Sequence, residues 1–78
     1  MVYLIQYKGI RNTRNYQRFL RRIKKLQRLN KVIVLRGALI LKDKSLLQSL
    51  LWDIVKTYGS FRIILGLDEW FEEAKQNG

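Results

Sequence analysis

Residues 31–43 read KVIVLRGALILKD, and the division of this stretch decides the fold. Its thirteen residues of strand character exceed the roughly five to six of a typical strand. Gly37 stands in the middle, and a glycine inside a strand pattern marks a turn or a bulge. The expectation is two strands, 31–35 and 38–42, around a tight Arg36-Gly37 turn. One long bent strand is the competing reading.

Upstream, residues 2–7 (VYLIQY) are β-branched and aromatic and read as a strand. Asn12 or Thr13 can cap the helix that follows, over 14–29. Within it Tyr16, Phe19, Leu20, Ile23 and Leu26 fall on one apolar stripe. Arg14, Arg18, Arg21, Arg22, Lys25 and Arg28 centre on the opposite side as a basic ridge. Downstream, Asp43 or Ser45 caps a second helix over 46–58, with Leu46, Leu47, Leu50, Leu51, Ile54 and Tyr58 facing inward and Gly59 ending it. Residues 61–67 (FRIILGL) form the last strand, and Asp68 caps a short acidic tail helix over 69–74.

With the hairpin reading, the order is strand, helix, strand, strand, helix, strand, tail. That is the α+β, ferredoxin-like split βαββαβ sandwich: one four-stranded antiparallel sheet with two helices on one face. Residues 1–78 make a single domain. A sheet covered on one side alternates apolar and polar residues, but these strands are apolar at both parities. Val2, Leu4, Tyr3 and Ile5 fill both in the first strand, and Leu39, Leu41, Ala38 and Ile40 in the third. The helix-free face then needs a cover, and the expected one is a second copy of itself, giving a homodimer.

Charge is the strongest compositional signal. Residues 1–42 carry twelve Lys and Arg and no acid, whereas 43–78 carry four basic and six acidic residues. A half-chain at +12 seeks anions, nucleic acid first among them. An anionic membrane or an acidic protein are rivals, and a lysine-rich thermophilic surface would interleave glutamates. Apolar residues at 47% argue against disorder. No apolar run is long enough to span a bilayer, and no basic leader opens the chain. A soluble cytoplasmic protein without membrane association is therefore expected.

The chain has no histidine and no cysteine, which removes His-dependent nucleophilic systems and His or Cys metal sites. No phosphate-cradling G-x-x-x-x-G-K-[ST] loop is present. Glu69 and Glu73 stand at i, i+4 and read as a solvated face rather than a metal pair. No catalytic residue, metal or cofactor is expected. Tyr16 and Tyr58 read as core, and Tyr7, beside Lys8, is the one tyrosine placed where chemistry could use it. Trp52 lies off the apolar face of its helix, free either to stack on a base or to lie flat on the surface or against the tail.

Three segments carry a family resemblance. VYLIQYKGIR (2–11) resembles the opening of the small CRISPR adaptation dimer family, whose first strand ends in Tyr-Asp-Ile and runs into an arginine-rich helix. VIVLRGAL (32–39) resembles that family's SVFEGxL segment, and GSFRIILGL (59–67) its DSVRIYxL strand. The likeness spans 2–67. The related virulence-associated protein D ribonucleases share the order of Phe61-Arg62-Ile63 and Trp70. The resemblance implies a ferredoxin-like fold, a sheet-to-sheet homodimer and contact with duplex DNA or with RNA. The family's metal-binding aspartate aligns with Lys8, which implies that metal-dependent cleavage is lost and a scaffold role kept. The RNA-recognition motif shares the element order, with Tyr3 and Arg36-Gly37 in its places. Ala38 and Ile40 stand where that motif needs aromatics.

These readings converge on a basic homodimeric nucleic-acid-binding protein without nuclease activity. Arg14, Arg18, Arg21, Arg22, Lys25 and Arg28 would supply the phosphate contacts, with Lys8, Arg11 and Arg36 as additions. The alternatives are a metal-dependent endonuclease or endoribonuclease of the same superfamily, and an adaptor that docks its basic helix on an acidic protein.

Overall fold

The structure, a computed structural model, describes residues 1–9 and 12–77. Arg11 lies outside the described residues. The elements are β1 (Val2–Lys8), α1 (Thr13–Arg28), β2 (Val32–Leu35), β3 (Ala38–Leu41), α2 (Lys44–Tyr58), β4 (Ser60–Gly66) and α3 (Asp68–Asn77). The sheet order is β2-β3-β1-β4, and every neighbouring pair is antiparallel. This is the ferredoxin-like split βαββαβ arrangement.

Residues 31–43 are a hairpin. Leu35 pairs with Ala38 and Val32 with Leu41, so Arg36 and Gly37 alone make the loop. Gly37 takes φ 72°, where a side chain would be strained. The Tyr7 amide donates to the Gly37 carbonyl at 3.1 Å, which ties the turn to β1.

Local signals place the helices. The Asn12 side chain accepts from the Asn15 amide at 3.1 Å and caps α1. Asp43 accepts from the Ser45 amide at 2.9 Å and its hydroxyl at 2.6 Å, which starts α2 two residues earlier than expected. These two bonds hold the Asp43 carboxyl below its ordinary range. Gly59 closes α2. Asp68 is the first residue of α3 rather than a residue before it, and its carboxylate meets the Met1 ammonium at 2.5 Å.

The register sorts the strands onto two faces. Ile5, Leu39, Leu41 and Val32 form one core with Phe19 and Ile23 of α1 and Leu50 and Ile54 of α2. The other parity forms a second, smaller core, in which Val2, Ile33 and Ile40 close around Phe71 of α3. Leu4, Leu35, Trp70 and Ala74 pack on its margin. The face expected to be helix-free is thus half covered by the chain's own tail. The expected sheet-to-sheet contact with a second copy loses its motive there, because α3 already buries Val2, Ile33 and Ile40.

Gly66 makes that cover possible. A Cβ at this position would lie 2.1 Å from the nearest carbon of the Trp70 ring. The indole therefore rests directly on the β4 backbone.

Candidate nucleic-acid interface

The α1 sequence TRNYQRFLRRIKKLQR carries seven cations and no carboxylate. At about 100° per residue, Phe19 and Ile23 point to the sheet, and Arg14, Arg18, Arg21, Lys25 and Arg28 point away. All five are exposed. None forms an ion pair among the described residues. They span about 21 Å of helix at 1.5 Å per residue. Lys25 and Arg28 sit in the last turn, where the helix dipole favours cations, while Arg14 opposes it at the first. Lys24, passed over in the sequence reading, is also exposed and lines a shallow hollow with Gln27 and Arg28. Its position on the flank of the stripe, beside Lys25, was the available signal.

Arg22 departs from the ridge. Its azimuth turns it toward α2, where Nη1 donates to the Asp53 carboxylate and Nη2 to Ser49 Oγ at 2.6 Å. It is a strap between the two helices, partly withdrawn from solvent, and the ridge assignment of Arg22 is corrected accordingly. A partner 31 residues away in the chain leaves no trace in helical periodicity.

Arg22 and Asp53 line the crevice between α1 and α2 together with Asn15, Arg18, Lys56 and Thr57. Asn15 Nδ2 donates to the Lys56 carbonyl at 3.1 Å, and Thr57 Oγ1 to the Asp53 carbonyl at 2.8 Å. On the outer side of α2, Trp52 is 63% exposed. The Lys56 ammonium stands 5.2 Å from its ring centroid. The indole stands largely exposed on the helix layer with that lysine over its ring. The tail is on the other side of the sheet.

Lys8 and Arg36 are not on this surface. Lys8 ends β1, and Arg36 sits in the β2–β3 loop. Both line a cleft at the end of the sheet with Gln6, Ser60 and Arg62. Arg62 is the cation that the sequence reading missed. The alternation of FRIILGL puts it on the parity of the second core, directly opposite Gln6.

Tyr7 belongs to the core. Its ring stacks on Tyr58 at 4.5 Å and meets the edge of Phe19 at 5.7 Å. Burial, then the neighbouring Tyr58 and Tyr16, push its phenol up to about 12, so it stays protonated at neutral pH. Four of the six carboxylates have partners: Asp43 as a cap, Asp53 with Arg22, Asp68 with the Met1 ammonium, and Glu72 3.6 Å from Lys42. Among the described residues no three of His, Cys, Asp and Glu gather as a metal site, and no helix is long and apolar enough to cross a membrane.

No family model, no curated protein and no solved structure matches this chain.

Proposed function

We propose that the protein binds nucleic acid through phosphate contacts made by the outer surface of α1. The observation that carries this reading is the row Arg14, Arg18, Arg21, Lys25 and Arg28, exposed on one side of a helix that has no acid. Like charges at i, i+4 destabilise a helix by a few tenths of a kcal/mol per pair, and phosphates turn that repulsion into attraction. Arginine predominates in the row, and its planar fork suits phosphate oxygens. Contacts of this kind carry little sequence preference. The resemblance to the CRISPR adaptation dimers adds a context, a scaffold that holds a duplex. Lys8 at the end of β1 repels a divalent cation there, so the reading includes no metal-dependent cleavage.

The test is titration with duplex DNA, duplex RNA and an acidic polypeptide at two salt concentrations. Each neutralised phosphate contributes a slope of roughly −0.9 in log K against log salt on duplex DNA. Engagement of about half the row costs two to three orders of magnitude per decade of salt. The triple variant Arg14→Ala/Arg18→Ala/Arg21→Ala weakens all sequences alike. A salt-insensitive affinity, unchanged binding by the variant, or preference for the polypeptide would each defeat the reading, the last in favour of the adaptor.

The homodimer is retained at a different surface. β4 is a seven-residue edge strand, and its helix-side row, Phe61, Ile63 and Leu65, is 40%, 36% and 56% exposed. Such an edge invites pairing. An antiparallel pair centred on Ile63 sets Phe61 opposite the partner's Leu65 and keeps Arg62 away from the partner's Arg62. It also uses a flank remote from the α1 cations, whose mutual repulsion opposes any contact made through them. Sedimentation of the wild type as a dimer and of Ile63→Lys as a monomer is expected. A monomeric wild type at micromolar concentration rejects the dimer.

A further inference from the structure

The half of the second sheet face that α3 leaves bare is cationic. Gln6, Lys8 and Arg62 share one parity there, with Ser60 across from Lys8 and Arg36 at the rim. The floor is small, Ala38 and Gly37, and the cleft is an open one of about 480 Å³. Its three cations come from β1, the β2–β3 loop and β4, so only the folded sheet assembles them. None of them is in an ion pair among the described residues. Within one protomer, Asp43 and Asp68 lie beyond the opposite strand ends, Glu69, Glu72 and Glu73 ride on α3, and Asp53 is committed to Arg22.

We propose that this cleft is a second anion site, separate from the α1 ridge, and that its ligand is a phosphate monoester: the terminal phosphate of a strand or that of a free mononucleotide. Three cations without an acidic partner among the described residues of their own protomer match the roughly −1.5 to −2 charge of a monoester better than the single charge of a backbone diester. The volume exceeds that of a phosphate ion and falls in the range of small-ligand sites, which leaves room for the attached sugar. The cleft is also a dead end along the strands. Phe71 covers Val2, Ile33 and Ile40, and Trp70 rests on Gly66. A chain running on along the sheet meets α3, whereas a chain end does not. Ser60 Oγ already donates to the Lys8 carbonyl at 2.9 Å, so it offers lone pairs to a ligand hydroxyl, while Gln6 offers amide donors.

The experiment compares one short labelled single strand bearing a 5′-phosphate, a 3′-phosphate or only hydroxyl ends, with adenosine 5′-monophosphate as competitor. Either terminal phosphate is expected to tighten binding about tenfold, the scale of hydrogen bonds to a charged group. The gain vanishes in Arg36→Ala/Arg62→Ala and shrinks in Lys8→Gln, with unchanged melting of both variants. It persists in Arg18→Ala/Arg21→Ala, which loses duplex affinity instead. Competition by the mononucleotide assigns the site to free nucleotides, and its failure assigns it to strand ends. Equal affinity for phosphorylated and hydroxyl strands overturns the proposal. So does a gain that survives Arg36→Ala/Arg62→Ala or disappears with the ridge variant. Amide shifts of Gln6, Lys8, Gly37 and Arg62 on titration with the mononucleotide and with a 5′-phosphorylated dinucleotide read the cleft alone, so it is judged even if the ridge binds no duplex, and the absence of shifts with both overturns the proposal.

Discussion

Arg22 reaches across the crevice between α1 and α2 to the carboxylate of Asp53, and the contact divides the arginines of one helix into two kinds. One is tied into the fold, and the others face solvent. Arg22→Ala and Asp53→Ala should each cost about 0.5 to 1 kcal/mol, the upper part of the range for pairs still in contact with solvent. Duplex affinity in Asp53→Ala should hold or rise slightly, because Arg22 is then released toward the ridge. Arg21→Ala should do the reverse, leaving melting unchanged and lowering affinity. Equal loss of affinity in Arg22→Ala and Arg21→Ala would show that the division is wrong.

Trp52 presents an exposed ring beside the cations of the helix layer. Base–aromatic stacking is worth about 1 to 3 kcal/mol per base. Trp52→Ala should therefore weaken single-strand binding about tenfold and leave duplex binding nearly unchanged, since paired bases are not free to stack on it. In a Trp70→Phe background, quenching of Trp52 fluorescence by a single strand reports the same contact.

Attachment of α3 rests on Phe71, 5% exposed, and on the seat that Gly66 provides for Trp70. Phe71→Ala should cost about 3 kcal/mol or more, a large share of the stability of a domain this small. Gly66→Ala forces the indole off its seat at a cost of about 1 to 3 kcal/mol, and Trp70 emission shifts to the red in a Trp52→Phe background. An unshifted emission maximum would mean that the ring does not rest on the strand.

Tyr7 makes stability depend on alkaline pH. Its phenol rises from the ordinary 10.0 to about 12 in the folded state. Above pH 10 the unfolded chain releases this proton while the folded chain keeps it, so the unfolded state binds fewer protons and stability falls. The loss runs from about pH 10 to pH 12. Tyr7→Phe should flatten the denaturation midpoint over that window relative to wild type, and identical slopes would count against the buried phenol.

Local chemistry carried much of the architecture. Gly37 between two apolar runs predicts the hairpin because left-handed backbone is cheap only for glycine. The caps at Asn12 and Asp43 follow from short side chains that reach the next turn's amides. The five outward cations of α1 follow from helical periodicity alone. Each of these depends on residues within a few positions of one another, and so each is written along the chain. Three features are not. The apolar filling of both strand parities says that a second face is buried but not by what, and α3 supplies the cover by returning beneath the sheet. Arg22 is removed from the ridge by Asp53, which comes near only when the helices pack. Lys8, Arg36 and Arg62 share a cleft because antiparallel pairing brings the end of β1, the β2–β3 loop and the start of β4 to one end of the sheet. Contacts between distant segments depend on strand register and crossover, which the packed sheet decides as a whole.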